Sequence, residues 1–156
     1  MSIRFVALDT DTVRSLQNGG TDAYGNKPVR LTSDGGAIPC RHCLKPVTKG
    51  DDYLALAFSP FRIRQPYAET GPIFLHADEC ERAGDSAEPA AMYDGREFIL
   101  RGYRDNDWIN YDVAEVVPAE KLVETAERML SRNDVAYVHM RSAEFNCYHC
   151  RVERAA

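Results

Sequence analysis

All five cysteines and three of the four histidines of this chain fall in three short motifs: Cys40-Arg41-His42-Cys43, His76-x-x-x-Cys80 and Cys147-Tyr148-His149-Cys150. Paired thiolates and imidazoles are what a zinc ion requires. A Cys-x-x-Cys turn brings two sulfurs to one metal at about 2.3 Å and leaves backbone amides to donate to them. Zinc takes four such ligands, so each pair needs another pair. Cys40, Cys43, His76 and Cys80 form one complete set. Cys40, Cys43, Cys147 and Cys150 form a second.

Geometry favours the first set. In a regular strand over Phe145 to Val152, Cys147 and Cys150 point to opposite faces, and no Gly or Pro between them signals a turn. Cys40 to Val47, followed by Gly50-Asp51 and a strand, has the form of a zinc knuckle, and His76 and Cys80 follow that strand. Four protein ligands close a metal to substrate, so the expected cofactor is structural zinc. Two readings compete with it. Free cysteine packs like a small apolar side chain, and all five could simply be buried. Cys-Arg-His-Cys also resembles a thiol redox motif, in which a flanking His or Arg stabilises the thiolate. Such motifs open a helix, and here Pro46 and Gly50 follow too closely for a useful one.

Catalytic signatures of other kinds are absent. There is no Gly-x-Ser-x-Gly elbow, no phosphate-cradling loop and no His-Glu-x-x-His. An enzyme reading rests on His76, His139 and Arg41 sharing a pocket between the Gly71-Pro72 loop and the terminal hairpin. His139 lies within an apolar strand, where a histidine bonded to a neighbour is the commoner case. His42 and His149, inside their Cys-x-x-Cys motifs, read as exposed. Tyr67, Tyr103 and Tyr111 could line a pocket or serve as ordinary core material.

The elements that must position these groups are short. Ile3 to Leu8 reads as a first strand. Asp9 can cap a helix through Leu16, stopped by Asn18-Gly19-Gly20. A short strand near Val29 to Leu31 lies in a Gly- and Asp-rich loop. Tyr53 to Phe58 and Ile73 to His76 are apolar runs. Phe98 to Tyr103 and Trp108 to Val117 form a hairpin around Asp105-Asn106-Asp107. A helix runs from about Pro118, as its first residue, to Ser131, with Leu122, Val123, Ala126, Met129 and Leu130 on one face. Val135 to Met140 and Phe145 to Val152 make a terminal hairpin. The pattern predicts a single α+β domain over residues 1–156, with a mostly antiparallel sheet and the C-terminal-half helix packed on one face.

Length and charge set the outer bounds. A chain of 156 residues buries roughly two thirds of its unfolded surface, enough to fold without metal. Apolar residues make up 44% and charged residues 28%, ordinary globular values. A net charge of -5 with scattered Arg and Lys argues against nucleic acid as partner. No apolar run approaches the ~20 residues of a membrane span, and the first residues lack a signal peptide's apolar stretch. A cytoplasmic address follows, where thiols stay reduced.

Four segments together resemble the family known as domain of unknown function 1203. They are Ile38-Pro39-Cys40-Arg41-His42-Cys43-Leu44, Pro66 to His76, Val135-Ala136-Tyr137-Val138-His139, and Asn146-Cys147-Tyr148-His149-Cys150 through Arg154. The resemblance implies a bacterial, stand-alone, single-domain protein. It carries no catalytic residues over, and the function it leaves open is that of a ligand- or protein-binding module.

Overall fold

A computed structural model describes residues 1–156. Ten regular elements run in the order β1 (Ile3–Val6), α1 (Thr10–Gln17), β2 (Val29–Thr32), β3 (Asp52–Phe58), β4 (Gly71–His76), β5 (Glu97–Tyr103), β6 (Ile109–Pro118), α2 (Leu122–Leu130), β7 (Tyr137–Ser142) and β8 (Tyr148–Arg154). Single turns of 3₁₀ helix occupy Ala91–Tyr93 and Ala119–Lys121. The class is α+β and every strand pairing is antiparallel. The pairing divides between two sheets, ordered β1-β8-β7-β5-β6 and β2-β3-β4. No helix is long and apolar enough to cross a membrane.

Contacts divide the chain into two compact units. One comprises Met1–Val6, Pro60–Glu69 and Asp85–Ala156, and holds the five-stranded sheet and α2. Its core follows from helical and strand periodicity. Leu122, Ala126, Met129 and Leu130 of α2 pack with Phe98 and Leu100 of β5, Val138 and Met140 of β7, and Cys150 and Val152 of β8. The helix therefore covers one face of this sheet, as its amphipathic pattern predicts. Pro118 ends edge strand β6 opposite Glu97, so the first helical turn starts after it. A proline suits that place because an edge strand's outward N–H needs no partner.

The other face of the same sheet is polar and aromatic. All of β7 is buried, so its outward residues Tyr137, His139 and Arg141 are covered too. Phe61 does part of this, with ring centroids 5.2 Å from Tyr103 and 5.1 Å from His139. Arg62, next in the chain, donates to Asp107 at 2.9 Å, and Asp107 also accepts from the Tyr137 hydroxyl at 2.9 Å.

The second unit comprises Ala7–Ser59 and Thr70–Gly84, with α1 and the three-stranded sheet. Asp9 caps α1, its carboxylate accepting from the Thr12 N–H at 2.8 Å. Val13 and Leu16 face inward. β3 lies between β2 and β4, with Tyr53 opposite His76.

Candidate metal centre

Cys40, Cys43, His76 and Cys80 converge, one ligand atom from each lying within 4.8 Å of all the others. The Cys40 and Cys80 sulfurs are 3.9 Å apart, and Cys43 Sγ is 3.4 Å from His76 Nδ1. A tetrahedral site with the usual zinc bond lengths has edges of about 3.8 Å between sulfurs and about 3.6 Å between sulfur and nitrogen. The four groups could therefore hold a metal ion with little movement. Cys40 is fully buried, Cys43 is nearly so, and His76 and Cys80 are half-buried.

The local fold explains the convergence. Residues 40–43 form a tight turn, in which the Leu44 N–H donates to the Cys40 carbonyl at 3.1 Å and the Cys40 N–H to the Lys45 carbonyl at 3.1 Å. Flanking it, Pro39 bridges Pro46. Leu44 takes a left-handed φ of 55°, at a cost of roughly 1–2 kcal/mol for a residue with a Cβ. Its side chain is only 8% exposed, and burying a leucine returns about 1.5–3 kcal/mol, which outweighs the strain. The turn is laid against β4: Cys40 bridges Phe74, and the Arg41 N–H donates to the Phe74 carbonyl at 3.1 Å. That contact brings the end of β4, with His76, to the sulfurs. The His76 N–H itself donates to Cys40 Sγ at 3.4 Å.

Helix α1 fixes the other side. Thr10, Arg14 and Gln17 stand on one face by their spacing. Gln17 Nε2 donates to the carbonyls of His76 at 2.9 Å and Asp78 at 3.0 Å, and Arg14 Nη2 to that of Cys80 at 2.9 Å. Thr10 Oγ1 is 3.0 Å from His42 Nε2, and His42 Nδ1 is 3.1 Å from Cys80 Sγ. With Nδ1 protonated, the imidazole donates to the sulfur and accepts from the threonine. This is the outer-shell arrangement that orients a metal ligand.

Three thiols this close share ionisation unequally. Hydrogen bonds from the thiols of Cys43 and then Cys80 hold Cys40 far below the usual thiol range, against its burial. Cys43 and Cys80 are pushed up, in each case chiefly by their bond to Cys40. A dication would remove that competition by stabilising all three thiolates.

Several expectations are corrected here. His42 is 0% exposed and His149 4%, so neither sits out in solvent. His42 is buried because Thr10 and Cys80 close over its two nitrogens; His149 packs its ring against Tyr93 and Phe98. Cys147 and Cys150 take no part in the four-residue group. Cys150 lies in the core under α2, while Cys147 sits in the turn before β8. A turn does interrupt the expected strand there, made by Asn146 at a φ of 60°, a conformation asparagine tolerates.

The residues of the enzyme reading belong to both units. His76 belongs to the metal group. Arg41, in the same unit, is 2% exposed, donates to the Pro39 carbonyl at 2.7 Å and stacks on Phe74. His139 lies in the other unit, ringed by Phe61, Tyr103, Tyr137 and Tyr148 at 4.8–5.1 Å. Burial holds its imidazole well below its ordinary range, and Arg141 and then Arg151 add to the depression. Of the three tyrosines, Tyr67 and Tyr111 meet each other and Trp108 at 5.8 and 5.1 Å from the Tyr67 ring, whereas Tyr103 is fully buried against Tyr137.

Among protein families, the one described as "Protein of unknown function (DUF1203)" matches residues 37–154. No curated protein matches the chain, and no solved structure does.

Proposed function

The chain belongs to the DUF1203 family of proteins of unknown function, and on that footing we propose that it is a binding module stapled by one structural zinc ion on Cys40, Cys43, His76 and Cys80. The observation that carries this reading is the convergence of four zinc-type donors, drawn from a knuckle, a strand end and a loop, within 4.8 Å. Three sulfurs and one nitrogen suit zinc better than magnesium or calcium, which take oxygen ligands. Four protein ligands fill a tetrahedral shell and leave no position for substrate, so the ion's role is architectural. The redox alternative lacks support from the local fold, since the Cys40-Cys43 turn leads back toward Pro46 in a bridge rather than into a helix.

Elemental analysis of untagged protein tests the proposal directly. One zinc per chain is expected. Replacement by cobalt should give the ligand-field bands of a tetrahedral thiolate site, and Cys43→Ser should lose them. Protein purified under metal-replete conditions with less than about a tenth of an equivalent of zinc would refute it.

A further inference from the structure

The buried polar residues on the outward face of the central strand β7 are independent of the metal and located in the other unit. Arg141 is 4% exposed, yet its Nε and Nη2 have no hydrogen-bond partner. Both ring nitrogens of His139, two residues earlier on the same face of β7, and the hydroxyl of fully buried Tyr103 are likewise unpartnered. Buried polar atoms in proteins are almost always satisfied, and a group left without a partner needs an explanation, of which a bound ion or water is one. The two side chains differ in how they could escape the cost. An imidazole can become neutral; a guanidinium cannot lose its proton. Arg141 therefore remains a buried cation with two of its three nitrogens unengaged.

Its remaining contacts define where the charge goes. Arg141 Nη1 donates to the Asn146 carbonyl at 3.2 Å and lies 3.6 Å from Glu69 Oε2. Arg101 donates to Glu69 Oε1 at 2.6 Å and to Asn146 Oδ1 at 3.3 Å. Two guanidiniums thus share one carboxylate, leaving one positive charge over. Arg151, opposite His139 across the β7–β8 pair, already has Glu153 at 2.8 Å and does not need that role. The Nε/Nη2 edge of a guanidinium is a fork of two parallel N–H groups, matched to two oxygens of a carboxylate or phosphate. Glu69, 42% exposed, and Arg101, 20% exposed, are the members of this group that reach solvent.

We infer that Arg141, with Arg101 beside it, holds a small oxyanion, the phosphate or carboxylate group of a ligand, on the sheet face opposite α2, and that Glu69 competes for the same two arginines. The oxyanion takes the unengaged fork of Arg141 and supplies the missing negative charge.

The test titrates the full chain as purified with inorganic phosphate and, separately, with malonate, at constant ionic strength set by chloride. Calorimetry reads binding, and nitrogen-resolved spectra of arginine side chains read Arg141 Nε. Saturable binding of one equivalent of either anion is expected, with Arg141 Nε among the resonances that move. Whichever anion binds more tightly identifies the source as phosphate or carboxylate. Arg141→Lys removes the fork and should weaken binding at least tenfold, about the worth of one charge-assisted hydrogen bond. Glu69→Gln leaves the fold's buried arginine in place and should strengthen it. No saturable binding by either wild type or Glu69→Gln at millimolar anion would overturn the inference, and would leave buried water as the occupant. Binding that Glu69→Gln weakens would also overturn it, even if Arg141→Lys fails to fold. Zinc content is unaffected by any of these outcomes, so the two proposals fail separately.

Discussion

If Cys40, Cys43, His76 and Cys80 hold zinc as proposed, stripping it should destabilise one unit far more than the other. A zinc ion that ties Cys40 to Cys80 closes a loop spanning 40 positions. Treated as a cross-link, that closure removes about 4 kcal/mol of conformational freedom from the unfolded chain. Whole domains are stable by only about 5–15 kcal/mol. For a chain of this length each kcal/mol moves the melting point by about 2–4 °C, so removal should lower it by roughly 10 °C. The loss should be local. Amide exchange should accelerate in Ala7–Ser59 and Thr70–Gly84, where the four ligands reside, while the core under α2 keeps its protection. The assay is hydrogen exchange and calorimetry on zinc-loaded and chelator-stripped protein, with zinc re-addition as control. Stripped protein that melts within about 2 °C of the loaded form, with an unchanged exchange map, would refute the reasoning.

Other consequences follow from single side chains. His42→Ala removes the imidazole between Thr10 and Cys80 and should reduce zinc affinity about 10- to 100-fold, read by competition with a chromophoric chelator. His139→Phe should keep or raise stability, because neither ring nitrogen has a hydrogen bond to lose. The same variant should flatten the acid limb of the stability curve. His139 stays neutral in the fold but takes a proton once unfolded, so wild-type stability falls below about pH 6.5 by up to 1.4 kcal/mol per pH unit. Urea denaturation between pH 5 and pH 8 checks this slope. Burial pushes the Asp107 carboxyl up, but bonds from Arg62 and Tyr137 more than reverse it. Its depressed pKa makes its contribution complete above about pH 4 and lost as pH falls further, and Tyr137→Phe should cost about 1–2 kcal/mol at neutral pH by the same denaturation.

Local patterns made much of this legible from the residues alone. The Asp9 cap, the apolar face of α2, the hairpin around Asp105 to Asp107 and the four metal-group residues follow from spacing and turn chemistry. What escaped depends on partners distant in the chain. The burial of His42 is decided by Thr10 and Cys80, 32 and 38 positions away. That Arg14 and Gln17 of α1 would hold the carbonyls of Cys80, His76 and Asp78 likewise depends on partners about 60 positions away. The turn before β8 was hidden because asparagine, not glycine, takes the left-handed position. The division into two sheets was hidden because strands carry no mark of which neighbour they will join. Arg141 lies just beyond the apolar run Val135 to Met140, and only its covered, half-satisfied position makes it informative.

The strand order also fixes a sequence of events during synthesis. β8 is the one strand that β1 pairs with, Ile3 facing Arg154, and on its other side Phe5 makes a single bridge to Ser86. Because β1 precedes β8 in the chain, it must wait, unpaired in its sheet, until β8 has emerged. All four residues of the metal group emerge long before then. If zinc is captured as they appear, the unit containing Cys40 to Cys80 is already tied off while β1 is still an open edge. An open edge is where a nascent chain is most exposed to pairing with the wrong strand. Its brevity, four residues with Arg4 among them, keeps that interval from becoming a hazard.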